Sequence, residues 1–211
     1  MDLDLIKNTL KQIKDKIEQK KLEFQQTFNS PHKVFKELVF CLLTPQSKAE
    51  KAWDIVEYLD QNGLLYSADK DLLAEVFKNV RFRFHKAEYV VLAQKQFIKN
   101  NTPTIKELIE QFKNPIQCRN FLVKNVKGMG YKEASHFLRN IYIGNNLAIL
   151  DRHILRSLNE LGVVEKIPSS LSAKKYLEIE QKLVNYCKSI DIEPFYFDFI
   201  LWQINTGRIF K

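Results

Sequence analysis

The chain has 211 residues, enough for one large domain or two small ones sharing a cleft. Its formal net charge of +8 favours a polyanionic partner. No apolar run reaches the roughly 18 residues of a membrane span, and the start, with Asp2, Asp4 and Lys7 among its leucines, does not resemble a secretory signal.

Leu3, Ile6, Leu10, Ile13 and Ile17 recur every three or four residues, so the chain opens with a helix that buries one face and covers the other with lysine. Ser30-Pro31 supplies an N-cap and an N1 proline for a buried helix through Val34, Leu38, Phe40 and Leu42. Pro45 stops it, and a further helix runs from Lys48 to Gln61, with Gly63 as its C-cap. A short amphipathic helix follows over 69–79.

Val80-Arg81-Phe82-Arg83-Phe84-His85 alternates apolar and basic residues. It is short and has no partner strand, so a loop into a helix over 86–100 is expected. Its interleaved Arg and Phe suit contact with phosphates and bases, or equally a core flanked by solvated arginines. Thr102-Pro103 is a break before a brief helix through Leu108 and Phe112. Asn114-Pro115 opens the helix that ends near Asn125, and Tyr131–Tyr142 forms the next. Asp151 is placed to cap a helix from Arg152 to Leu161, closed by Gly162. After a Pro168-Ser169-Ser170 linker come helices over 173–189 and 195–206, the last ending at Gly207. The reading is all-α, ten or eleven helices with no convincing strand. Two helical lobes are expected, one over roughly 84–189 and the other from both chain ends, 1–83 with 190–211. Cys41, Cys118 and Cys187 are odd in number and widely spaced, which fits buried free thiols in a reducing compartment.

The segment Val126–Asp151 carries the chemistry. Gly128-Met129-Gly130 between two helices makes a helix-hairpin-helix, whose outward N–H groups at a helix start can hold a phosphate. Taken alone, G-M-G also fits an ordinary αα-hairpin. Lys132 lies in the first turn of the second helix, where the positive end of the helix dipole opposes the ammonium form. Most lysines are simply solvated. Asp151, nineteen residues on, fits a plain N-cap or a carboxylate facing that lysine. His153 lies in the first turn after it, either as a phosphate donor or as a partly buried polar residue.

V-K-G-M-G-Y-K-E-A followed by L-A-I-L-D-R-H-I-L resembles the helix-hairpin-helix DNA glycosylase superfamily. L-L-T-P-Q-S-K-A at Leu42–Ala49, V-R-F-R-F-H-K-A at Val80–Ala87 and the ending from Trp202 to Lys211 resemble its short, archaeal-type 8-oxoguanine glycosylase/lyases. The four-cysteine iron–sulfur loop of endonuclease III-like relatives is absent.

The resemblance implies a bifunctional enzyme that excises 8-oxoguanine from double-stranded DNA and cleaves the abasic site by β-elimination. It implies that Lys132 forms the Schiff base and that Asp151 assists it. Gly128, Met129 and Gly130 would hold a phosphate, with no required metal but a monovalent cation admissible at the carbonyls of Lys124, Val126 and Met129. Arg152 and His153 would contact DNA, and Gln46 would fill the gap left by an extruded base. Trp202 and Phe82 or Phe84 would stack on that base. Lys211 would take part in reading it; the hydrogen that 8-oxoguanine carries at N7 leads us to expect that a terminal carboxylate accepts it, with the tail folded back toward Trp202, against a frayed terminus with no role. No cofactor is implied, and a monomer in the cytoplasm or at the nucleoid is expected. The alternatives are a glycosylase for another oxidised base, a non-catalytic helix-hairpin-helix module, and a helical interaction scaffold. The last leaves the charge and the glycine turn unexplained.

Overall fold

A computed structural model describes residues 1–211. The helices are α1 (Leu3–Phe28), α2 (Pro31–Leu43), α3 (Ala49–Gln61), α4 (Lys70–Val76), α5 (Arg83–Phe97), α6 (Ile105–Glu110), α7 (Pro115–Asn125), α8 (Tyr131–Asn140), α9 (Arg152–Glu160), α10 (Ala173–Ser189) and α11 (Pro194–Thr206). Side-chain caps fix several starts. Asp2, Ser30, Asp69, Asn114, Asp151 and Ser172 each accept a backbone N–H from the first turn, each contributing about 1 kcal/mol.

Two local expectations are corrected. The Thr102-Pro103 break belongs to a minimal antiparallel pair, β1 (Ile98–Lys99) with β2 (Thr102–Pro103). Asn100 and Asn101 turn it, with φ of 49° and 59°, the two successive positive values that a tight hairpin turn needs and that Asn tolerates. The loop before α5 is also shorter than expected. Phe82 sits in the left-handed region at φ 60° and the helix begins at Arg83.

The lobes divide elsewhere than at residues 84 and 189. One apolar cluster runs from Val34 to Leu147, through α2 to α8. The other joins Ile6, Ile13, Ile17 and Phe24 of α1 to the chain from Ala148 onward. The reason lies in α2, where every residue from Val34 to Leu43 is buried. A helix without a solvent face must lie at the centre of its lobe, so it draws 31–83 into the same body as the hairpin. The apolar stripe of α1 packs on α11 instead, with Phe24 stacked on Phe199 and edge-on to Phe195. The three cysteines are free and buried.

Candidate active site

The hairpin turn spans Val126–Gly130, between α7 and α8. Its two glycines serve different ends. Gly128 has φ 86°, and a Cβ there would lie 2.2 Å from the Tyr89 ring. It is therefore required both by conformation and by space. Gly130 has φ −92° and needs no such freedom. Its N–H donates to Glu133 Oε2 at 3.2 Å, the one half of a capping box that a residue without a side chain can make at the start of α8. The N–H groups of Lys127 and Gly128 meet no protein acceptor, which leaves two donors for an anion at the turn. Met129 is 5% exposed and packs in the first cluster, so only its backbone can meet DNA.

Lys132 is half-buried in the first turn of α8, its Nζ 3.1 Å from Glu133 Oε1. Asp151 caps α9 by accepting the Ile154 N–H at 2.8 Å through Oδ1, and its other oxygen has no protein donor. Both side chains line one cavity of about 310 Å³ between the lobes. Thr44, Ser47 and Lys48 approach it from the first lobe, and His153, Asp198 and Trp202 from the second.

Buried polar side chains hold this frame. Arg119 of α7, fully buried, grips Glu180 of α10 with both terminal nitrogens, one pair at 2.7 Å, and donates to Ser135 of α8 at 3.1 Å. Glu180 accepts the Ala148 N–H at 2.8 Å. Tyr176 donates to the Ala148 carbonyl at 2.6 Å and accepts the Leu150 N–H at 3.3 Å. One network therefore joins the helix that carries Lys132 to the three residues ahead of Asp151.

Residues not singled out from the sequence complete the cavity. Asp198 is a lone carboxylate in the apolar α11, one turn before Trp202 and so on the same face. Burial pushes its pKa up to about 6, against the pull of Arg139, whose Nη2 is 3.5 Å away. Arg139 stacks on Phe199, and its Nε and Nη1 have no partner. His136 is held neutral, its pKa lowered first by burial and then by Arg139. An acidic residue inside an otherwise apolar helix was the available signal for Asp198, since an isolated buried carboxylate needs a reason. His136 and Arg139 gave no comparable one.

Trp202 presents an indole N–H without a partner and stands edge-on to His153, ring centroids 5.3 Å apart. Lys211 lines the cavity, and its half-buried side chain packs on the first lobe. The ammonium pairs with Glu37 and lies 3.2 Å from the Trp53 ring centroid. Phe210 packs on Phe40, and Arg208 bonds Glu50 at 2.7 Å. The tail thus crosses from α11 to the other lobe as it passes the Trp202 cavity.

Phe82 and Phe84 do not join this set. They are 49% and 54% exposed, each under its neighbouring arginine, and neither lines the cavity. The left-handed turn at Phe82 starts α5 with both rings outward, away from the cavity that Trp202 lines. A wider groove of about 1090 Å³ runs on from the cavity, lined by Gln46, Arg81, Lys132, Arg152, His153 and Arg156 among others. Its basic lining suits a phosphate backbone.

Residues 17–192 match the family described as 8-oxoguanine DNA glycosylase. The chain belongs to that family. An 8-oxoguanine DNA glycosylase/AP lyase of Methanocaldococcus jannaschii is 40% identical over 212 residues, covering 99% of this chain and 97% of that protein. One of Fusobacterium nucleatum is 43% identical over 175 residues, 83% of this chain and 81% of that one. The crystal structure of the Methanocaldococcus jannaschii 8-oxoguanine glycosylase/lyase with a 15mer DNA containing 8-oxoguanine superposes with a TM-score of 0.86 at 38% identity, covering 99% of this chain and all of that one. Family membership and the all-α helix-hairpin-helix architecture thus agree with the reading from the residues. No helix is long and apolar enough to cross a membrane.

Proposed function

We propose that this family member is a bifunctional enzyme that excises 8-oxoguanine from double-stranded DNA and then cleaves the abasic site by β-elimination. The observation that carries this reading is the meeting of Lys132 and Asp151 at a cavity of about 310 Å³ beside a basic groove. A flipped base fits the cavity and the duplex runs along the groove.

Lys132 is the nucleophile. Its ammonium must leave Glu133 and lose a proton before the free amine attacks C1′. The C1′–N9 bond breaks as the C1′–amine bond forms, and the base departs with the bonding pair. The amine proton passes to the ring oxygen as that oxygen leaves C1′, which gives an imine; C2′, acidified by the imine, then loses a proton and the 3′ phosphate departs with the C3′–O bonding pair. Asp151 stabilises the positive charge that develops at C1′, and its pinned Oδ1 fixes the direction of the carboxylate. Lys127 and Gly128 N–H groups hold a phosphate. The carbonyl oxygens of Lys124, Val126 and Met129 would suit a monovalent cation. The Val126 carbonyl already accepts the Met129 N–H at 3.2 Å, so it would contribute its second lone pair.

Trp202 offers a ring face and an indole donor to the base, Asp198 offers a buried acceptor, and Lys211 closes the pocket wall. Arg152 and His153 meet phosphates, and Gln46 enters the gap left in the stack. The exposed Phe82 and Phe84 serve as stacking surfaces on the DNA outside the pocket. The protein acts as a monomer.

Borohydride trapping on an 8-oxoguanine duplex tests the scheme. Wild-type protein should give a covalent adduct, and Lys132→Gln should bind the duplex without one. An undiminished adduct in the variant would remove Lys132 from the reaction.

A further inference from the structure

An ammonium group with almost no exposure needs acceptors, and Lys86 of α5, 2% exposed, has three. Its Nζ donates to the Leu43 carbonyl at 2.7 Å, the Pro45 carbonyl at 2.7 Å and the Ser47 hydroxyl at 2.8 Å. Leu43 ends α2, and Pro45 and Ser47 lie in the turn that joins it to α3. None carries a charge, and no carboxylate pairs with Lys86. An apolar side chain would fill the same space without the desolvation cost of a lone cation. A geometric task accounts for the cation better than packing does.

That task is visible within the turn. Gln46, between the second and third acceptors, has φ 55°. A side-chain-bearing residue in that region costs of order 1–3 kcal/mol and persists only where its surroundings impose it. Within the turn itself, only the Ser47 N–H to Thr44 carbonyl bond, at 3.0 Å, closes the backbone. Gln46 is exposed on the groove, next to Lys132 and Asp151 in the lining, whereas Lys86 lines neither the groove nor the cavity. Lys86 therefore cannot touch DNA, but it grips both sides of the residue that can. Burial and the neighbouring Lys132 lower its pKa to about 8, which leaves it mainly protonated, with three donors, at neutral pH.

We propose that Lys86 is a positioning residue for duplex substrates: its three bonds hold the Thr44–Ser47 turn so that Gln46 projects into the groove and occupies the gap left by the extruded base. This rests on the glycosylase reading and on the gap-filling role of Gln46. The requirement is specific to paired DNA, because an unpaired strand leaves no gap to fill.

Lys86→Met keeps the stem and removes the donors. Lys86→Met, Gln46→Ala and the double variant are compared with wild type by thermal melting and by single-turnover excision from an 8-oxoguanine duplex. Cleavage of a preformed abasic site in a single strand is measured alongside. Lys86→Met should slow duplex excision about tenfold, or roughly 1.4 kcal/mol, while single-strand cleavage changes by less than about threefold, or roughly 0.7 kcal/mol. The double variant should be no slower than Gln46→Ala, since both act through one contact. Equal slowing of both reactions, or multiplying losses in the double variant, would show that Lys86 serves the chemistry or the fold at large and would overturn the proposal. A slow Gln46→Ala beside a normal Lys86→Met overturns the role of Lys86 alone. A fully active Gln46→Ala removes the gap-filling reading, and the proposal with it. Should Lys86→Met melt below the assay temperature, Lys86→Gln, which retains a neutral donor, carries the same comparison.

Discussion

Two turns near Lys132 hold a residue in the left-handed region, by opposite means. At Gly128, φ 86°, the chain omits the side chain, and the Tyr89 ring occupies the space where one would be. At Gln46, φ 55°, the side chain is kept and Lys86 restrains the turn from outside. The first turn presents backbone N–H groups to its ligand, so a side chain is dispensable. The second must present a side chain, so glycine would defeat its purpose. What a turn has to offer decides how its strain is borne.

Placing a methyl group in the first turn should break this contrast most sharply. Gly128→Ala adds a steric clash to an unfavourable φ, together about 3 kcal/mol. For a chain of this length that lowers the melting temperature by roughly 6–12 °C, and the affinity for DNA should fall with it. Tyr89→Ala in the same protein should restore part of the loss. A fall of only about 2–4 °C would mean that the ring swings aside and the unfavourable φ alone remains.

The cavity between the turns supplies a control on pH. Asp198, with a pKa raised to about 6 by burial, is about 90% ionised at pH 7 and about 10% at pH 5. Excision should fall roughly tenfold over that interval as its acceptor is lost. Asp198→Asn should flatten this acid limb, and variants of either turn should leave it in place. A persistent tenfold fall in Asp198→Asn would assign the limb to another group.

Gly130→Ala should be milder than Gly128→Ala, because its φ is ordinary and the added Cβ meets only the end of the Glu133 side chain, at 2.9 Å. Moving that carboxylate weakens one capping bond, about 1 kcal/mol. Equal destabilisation by the two glycine variants, on chemical denaturation, would erase the distinction between them. The smallest change in stability is expected for Gln46→Gly. Relieved strain is offset by the extra freedom of glycine in the unfolded chain, leaving the protein within about 0.5 kcal/mol of wild type. Duplex excision should nonetheless slow as in Gln46→Ala, and a full rate would show that the backbone, not the side chain, matters there.

The same contrast explains what was legible in the sequence. Gly128, the caps at Ser30, Asn114 and Asp151, and the apolar stripe of α1 are local devices that show themselves within a few residues. Lys132 and Asp151 stood out through their spacing from the hairpin and the family resemblance. The lobe boundary did not, because the solvent-free α2 recruits partners that lie far along the chain. Lys86 sat unremarked among 33 basic residues, since its acceptors lie about forty positions away. The resemblance put Phe82 or Phe84 against the base, and the left-handed residue that turns both rings outward is not legible in the alternating pattern.

The inter-lobe pair Arg119–Glu180 governs how the protein fails when heated. Drawing α7 away from α10 would strand two buried charges, at about 3–5 kcal/mol. A partly opened form in which Lys132 and Asp151 drift apart is therefore scarcely populated. Heat inactivation should follow the cooperative unfolding of the whole chain, so that residual activity and residual structure trace one curve.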